Sequence, residues 1–413
     1  MSYIPLKCKN CGADMSREKG ADSATCKHCG STFLISELLD NEKEAHKQEK
    51  LKVKTNSQSI NKEIGFSIND TAYACIIFIL LTNLFSSALG FLGIKLVSGT
   101  FGYYLTSALV ELVFAAAAVF VAYTRKKNII KSTGMDKKIN GNIVGWCFLI
   151  SFVSLLAFGN LTNVFMEILV KLGYSSILGN IELVSFGQYI GMLLASCIVA
   201  AFAEELLFRG VIQSGLNKWG IRISVGVSAL IFMLMHGNAE QTVHQFVIGV
   251  IIGYIFYKTH NLWIGVLVHM FNNFIPVTQA YLLSLFPATD AAAEVVVEQI
   301  GWGTILIDFV LALITAWAGL YFLKMIFKKI FQEDAKLNGT QQTNENVASI
   351  KVDGDETKVE MTIEGLAVSE NQETAAGKKE RPKLSPGTII MFSVAGVYLI
   401  GTWIFYTICG FLM

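Results

Sequence analysis

The stretch "YIGMLLASCIVAAFAEELLFRG", residues 189–210, is apolar as far as Phe202 and then sets Glu204, Glu205 and Arg209 into the same run. A membrane span needs about 20 predominantly apolar residues. Each ionisable side chain within one costs on the order of a few kcal/mol, so three so close together point to a working site inside a membrane helix.

Composition agrees. Of the 413 residues, 53% are hydrophobic and 16% charged, and the mean hydropathy is +0.50. Soluble domains carry roughly 25% charged residues, so the expected fold class is an all-α polytopic membrane protein with the lipid bilayer as its medium. A formal net charge of +1 argues against nucleic acid as a partner. The opening "MSYIPLKCKNCG" holds no apolar h-region, so no cleavable signal peptide is expected.

Four of the eight cysteines form "CKNC" (Cys8, Cys11) and "CKHC" (Cys26, Cys29), separated by 14 residues and each followed by glycine, Gly12 and Gly30. Two such knuckles present four thiolates to one structural zinc, the logic of a small zinc ribbon, with disulfides or redox pairs as the alternative. His28 reads as a bystander. Thiolate zinc suits a reducing compartment, which puts the N-terminus in the cytoplasm. Cys75, Cys147, Cys197 and Cys409 stand singly in apolar runs and read as small core residues.

The organisation expected is a ribbon over 1–36, a charged tether over 37–70, a transmembrane core over 71–331, a polar linker over 332–386 and a C-terminal span over 387–413. Nine spans are expected, at 71–96, 101–124, 142–170, 186–216, 221–238, 242–258, 262–285, 301–327 and 387–412. The fifth and sixth are short. With a cytoplasmic N-terminus the basic loops "TRKKNIIKSTGMDKK", "NKWGIR", "YKTHN" and "KMIFKK" all fall inside, and the acidic "PATDAAAEVVVEQ" outside. A bacterial plasma membrane is the expected setting. Gly410 stands where a prenylation box needs cysteine, so the ending "CGFLM" is no such box.

On a helix Glu205 and Arg209 are i and i+4 and can pair, whereas Glu204 points about 100° away. A polar seam between helices is the plain reading of such a trio. Two further helices add to it. "ALIFMLMHG" puts Phe232 and His236 on one face, and "VLVHMFNNF" puts His269 and Asn273 on one face with Asn272 on its flank. At about 1.5 Å rise per residue, Glu204, His236, His269 and Asn273 fall in one layer of the membrane. A Glu–His pair can activate water for attack on a peptide carbonyl, with His and Asn donors stabilising the oxyanion. Alternatively, His236 and His269 with Glu204 could ligate a catalytic zinc. His244 and Glu240 read as loop residues, and Gly249 and Gly253 as a close helix contact.

In this order, "EELLFR", "FMLMH" and "HMFNN" resemble the EExxxR, FxxxH and HxxxN/D motifs of the CAAX protease and bacteriocin-processing family, the intramembrane proteases that include the Ras-converting enzymes. The resemblance covers roughly residues 140–325. It implies Glu204 as the water-activating base with His236 beside it, His269 and Asn273 at the oxyanion, and Glu205 and Arg209 organising the site. Both glutamate-dependent and metal-dependent mechanisms are compatible with it. The implied substrate is a membrane-associated or lipidated peptide, or a small peptide precursor, with the ribbon recruiting a protein partner. A non-catalytic peptide-binding immunity or scaffold protein, or a proton-coupled transporter or sensor, are the rival readings.

Overall fold

Short polar residues decide where the apolar helices begin. In a computed structural model, which describes residues 6–8, 10–15, 22–34, 65–93, 99–176, 183–286, 301–345 and 384–413, Ser67 closes a capping box with Asp70. The Ser67 hydroxyl accepts from the Asp70 N–H, and the Asp70 carboxylate accepts from the Ser67 N–H. Ser185 and Gln188 repeat the device, while Thr100, Asn140 and Ser385 cap by side chain alone. Each cap satisfies a backbone donor left over at a helix start and is worth about 1 kcal/mol.

The chain divides into two units, Met1–Ile64 and Gly65–Met413. In the first, β1 (Leu6–Lys7) pairs with β2 (Asp14–Met15), and β3 (Ser23–Thr25) with β4 (Thr32–Leu34), as two antiparallel hairpins. One CxxC lies between the strands of each. Most of the tether expected over 37–70 lies outside the described residues, and its end is already helical from Ile68.

The second unit is an all-α polytopic membrane fold. Its helices are α1 (Ile68–Phe91), α2 (Phe101–Thr124), the short α3 (Ile129–Thr133), α4 (Gly141–Lys171), α5 (Phe186–Trp219), α6 (Ile221–Met235), α7 (Thr242–Thr259), α8 (Leu262–Ser284), α9 (Trp302–Glu345) and α10 (Pro386–Leu412). Each of the nine expected apolar segments contains a helix among its described residues, but only six of these helices are long and apolar enough to span: α1, α2, α4, α5, α9 and α10. The 15 residues of α6 reach about 22 Å at 1.5 Å each, short of a bilayer core of about 30 Å. α7 and α8 lose apolarity to His244, Gln245 and Lys258, and to His269, Asn272 and Asn273, respectively. The departure from nine therefore falls on the three helices that, with α5, carry most of the polar set.

α9 also runs further than expected. The linker read over 332–386 begins inside it: residues 332–345 are helical, and 346–383 lie outside the described residues. Asp334 and Asn338 hold this extension. Asn261 Nδ2 donates to Asp334 Oδ1 at 2.9 Å, the Lys138 N–H donates to Asn338 Oδ1 at 2.9 Å, and Asn338 Nδ2 donates back to the Lys138 carbonyl at 3.1 Å.

α5 is not uniform. The α-helical turn Ala200–Glu205 lies between two π-helical stretches, Leu193–Val199 and Leu206–Gln213. Their wider turns show in bonds five residues apart, Ala200 N–H to the Ala195 carbonyl and Ser214 N–H to the Arg209 carbonyl. Neighbouring helices supply hydroxyls to carbonyls of the second stretch: Thr71 to Ile212 at 2.9 Å, Ser228 to Phe208 at 3.3 Å and Ser224 to Gln213 at 3.3 Å. π-bulges recur at functional sites, and here they bracket the two glutamates.

Close approach fixes this helix against α1. A Cβ on Gly215 would overlap the Thr71 hydroxyl and the Ser67 carbonyl. Because backbone cannot move aside as a flexible side chain can, Gly215→Ala is expected to cost about 1–3 kcal/mol. The lowered unfolding midpoint of the detergent-solubilised chain checks this; an unchanged midpoint contradicts the packing.

Candidate functional site

The site grows from the i, i+4 pair in α5. Arg209 Nη1 donates to Glu205 Oε1 at 2.9 Å, and both side chains are fully buried. Arg209 Nη2 donates to the Gly249 carbonyl at 3.3 Å, and the guanidinium carbon stands 4.5 Å above the centre of the Phe232 ring. One turn on, Gln213 Nε2 donates to the Gly253 carbonyl at 2.7 Å. The two glycines on α7 allow this. A Cβ at 249 would sit 3.1 Å from Ala229 and one at 253 would sit 3.1 Å from Gln213 Oε1, tighter than ordinary contact. The close helix contact expected of this GxxxG thus also brings two backbone acceptors within reach of α5.

Glu205 Oε1 takes a second donor, His269 Nδ1 of α8, at 2.9 Å. An ionised carboxylate only accepts, so the His269 proton is assigned to Nδ1, and Nε2 faces away from Glu205. That nitrogen lies 4.0 Å from Glu204 Oε2. Glu204 is only 5% exposed, and its Oε2 has no donor. A separation too long for a direct hydrogen bond between two such groups is one that a water touching both would bridge. Adjacent glutamates therefore have different environments: Glu205 Oε1 accepts from both Arg209 and His269 while its Oε2 is buried without a donor, and Glu204 is offered to the gap beside His269.

His236, at the end of α6, pairs through Nδ1 with the Phe232 carbonyl at 2.9 Å, which assigns its proton to Nδ1 and leaves Nε2 as an acceptor. The Phe232 ring packs edge-on against both histidines, 5.0 Å from His236 and 5.8 Å from His269 between centroids. Asn273 Nδ2 donates to the Ser196 carbonyl at 2.8 Å, tying α8 to the first π stretch of α5. The structure thus brings Glu204, Glu205, Arg209 and His269 together directly. It joins His236 to them through Phe232, and it holds Asn273 on the same face of α8 as His269.

Two residues escaped the sequence reading. His244 is not in a loop; it lies in the first turn of α7, half-buried, with Nε2 3.0 Å from Asn272 Nδ2. Glu111 stands alone as an acid in α2 and meets Glu204. The available signal was a lone carboxylate in an otherwise apolar span. Glu240 does lie in the connection between α6 and α7, where it accepts from the Tyr174 and Ser176 hydroxyls.

Two imidazole Nε2 lone pairs and a carboxylate are donor types that zinc takes, but His236, His269 and Glu204 do not gather within reach of one ion in this geometry. Among the described residues, Cys8, Cys11, Cys26 and Cys29 do, with all four sulfurs within 4.8 Å of one another. The Cys8–Cys29 and Cys11–Cys26 sulfurs are 3.5 Å apart. Four thiolates held about 2.3 Å from a tetrahedral zinc would lie roughly 3.8 Å apart, so the quartet fits such an ion. The two knuckles are alike. Gly12 and Gly30 both take φ of +74°, where glycine is favoured, and donate to the Cys8 and Cys26 carbonyls at 2.9 Å. Hydrogen bonds from the Ser31 side chain and backbone hold the Cys29 thiol down at about 6, and the Cys29 and His28 N–H groups hold Cys26 below its ordinary value.

Residues 186–275 match the family described as Rce1-like, type II CAAX prenyl endopeptidase. The matched segment contains Glu204, Glu205, Arg209, His236, His269 and Asn273, and it supports the CAAX protease and bacteriocin-processing family. No curated protein and no solved structure matches the chain.

Two outcomes are expected. Arg209→Leu leaves Glu205 buried with its main cationic partner gone, at a cost of about 3–5 kcal/mol; the unfolding midpoint of the purified chain reads this. In the ribbon, the full chain should carry about one zinc by elemental analysis and Cys8→Ser with Cys11→Ser close to none, since two thiolates cannot close a tetrahedral site.

Proposed function

We propose that this integral membrane protein is an intramembrane endopeptidase that hydrolyses a peptide bond in a membrane-associated or lipidated, CAAX-like peptide or a small peptide precursor. The Rce1-like match supports a CAAX-type endopeptidase in general. The observation that carries the residue-level reading is the buried Glu204 Oε2, without a donor and 4.0 Å from His269 Nε2.

In this reading Glu204 is the general base. It removes a proton from water held between Glu204 and His269, and His236 Nε2 accepts the second water hydrogen to orient it. The hydroxide forms a bond to the peptide carbonyl carbon. His269, when doubly protonated, gives the Glu205 carboxylate a second cationic partner, and the four charges of Arg209, Glu205, His269 and Glu204 then sum to zero. Its Nε2–H and the second N–H of Asn273 donate to the oxyanion, the type of interaction that supplies the largest single term in such reactions. Collapse breaks the C–N bond as Glu204 returns its proton to the leaving nitrogen. Glu205 and Arg209 orient His269 and do not touch substrate. The ribbon binds zinc and recruits a protein partner. Loop charge and thiolate chemistry favour a cytoplasmic N-terminus.

The test compares wild-type and Glu204→Gln protein, purified in detergent, on a mixed library of lipidated and plain peptides, with new termini read by mass spectrometry. Loss of a positioned base is worth about 10²–10⁴-fold, so the variant is expected to lose at least about a hundredfold in cleavage rate. Equal cleavage by both contradicts the mechanism. No cleavage by either favours the peptide-binding scaffold.

A further inference from the structure

α2 packs along both π stretches of α5 and along the α-helical turn between them. Its one acid is Glu111, within "LTSALVELVF", residues 105–114. The Glu111 carboxyl meets the Glu204 carboxyl. In each of the two side chains Oε2 is buried and has no donor. The hydrogen bonds that the surrounding groups make go elsewhere, although the Arg209 Nε–H is itself buried without a partner. On α5 itself, Arg209 directs Nη1 to Glu205 and Nη2 to Gly249, and Glu205 is an acceptor. On α8, His269 commits its Nδ1 proton to Glu205 and stands 4.0 Å off with Nε2. On α6, His236 commits its Nδ1 proton to a carbonyl. Two bare carboxylates in contact away from water repel strongly, whereas one proton between them satisfies an oxygen on each.

We propose that Glu111 is a positioning residue for Glu204: the two carboxyls hold one proton between them, and Glu111 tunes when Glu204 can act as base. The proposal rests on the endopeptidase reading for its role in catalysis. At rest the pair carries one proton and one negative charge. The Glu111 hydroxyl donates to the Glu204 carboxylate and fixes its orientation, while a lone pair of Oε2 stays turned to the water on the His269 side. Removing a proton from water brings the pair to two protons and no charge. Protonating the leaving nitrogen returns it to one.

Two arms test this on the full chain in lipid nanodiscs. The first needs no substrate. Infrared spectra across a pH titration isolate the protonated-carboxyl carbonyl stretch that disappears in Glu204→Gln. In the wild type this signal should titrate in two separated steps, because coupled carboxyls take up protons as a pair; in Glu111→Gln it should titrate in one. The same one-step curve in both proteins overturns the proposal. The second arm is the pH profile of kcat/KM on whichever peptide the wild type cleaves. Glu111→Gln removes the hydroxyl that donates to the Glu204 carboxylate, so its acid limb should move to higher pH by about one unit or more, a tenfold change in proton affinity. Glu111→Asp, which keeps the carboxyl, should move it less. A profile lowered in height with its limb in place means a merely structural role and overturns the proposal. If the wild type cleaves nothing, the endopeptidase reading fails while the infrared arm still decides whether the proton is shared.

Discussion

A guanidinium buried inside a membrane helix needs a partner of opposite charge, and Arg209 finds it in Glu205 at 2.9 Å with neither side chain exposed. Removing one member of such a pair is far costlier than never having had it, so much of the core is built to keep it. α7 uses glycine at 249 and 253 so that backbone carbonyls can approach α5. Phe232 offers its ring face to the guanidinium. His269 then takes the remaining valence of Glu205 Oε1, which fixes the ring's tautomer and aims Nε2 back toward Glu204.

What makes Glu204 different from its neighbour is one residue of helical rotation. Adjacent side chains on a helix diverge by about 100°, so Glu205 enters the ion pair while Glu204 enters the space bounded by α2 and α8. The π-helical stretches on either side widen the helix locally, and hydroxyls from α1 and α6 cap carbonyls freed by the second of them. The same bulges give Asn273 a backbone carbonyl at Ser196 to grip. A helix of ordinary pitch throughout would not present these acceptors.

Much of this was legible in the residues. The Glu205–Arg209 pairing follows from i, i+4 spacing alone, as does the shared face of His269 and Asn273. The CxxC pairs with their glycines announced two equivalent turns, and each of the nine apolar segments contains a helix among its described residues. Three things were not legible. The π stretches depend on partners from other helices, which no local pattern encodes. His244 reads as a loop residue although the span expected over 242–258 contains it, and only the packing of α7 against α8 shows its bond to Asn272. The end of the last core helix was misplaced because Asp334 and Asn338 look like linker polarity until Lys138 and Asn261 are seen to pair with them. Glu111 was visible as a single acid in α2, but its meaning depends on which helix α2 packs against.

The central claim is that Glu204 and His269 act as one unit across a 4.0 Å gap. A double-mutant cycle on single-turnover peptide cleavage tests it most directly, using Glu204→Gln, His269→Ala and the double variant. Residues that act as a unit are grossly non-additive, so the double variant should cleave no more than a fewfold slower than the worse single variant. Losses that multiply across the two sites would mean that Glu204 and His269 contribute independently, and the geometry described here would not be the basis of the reaction.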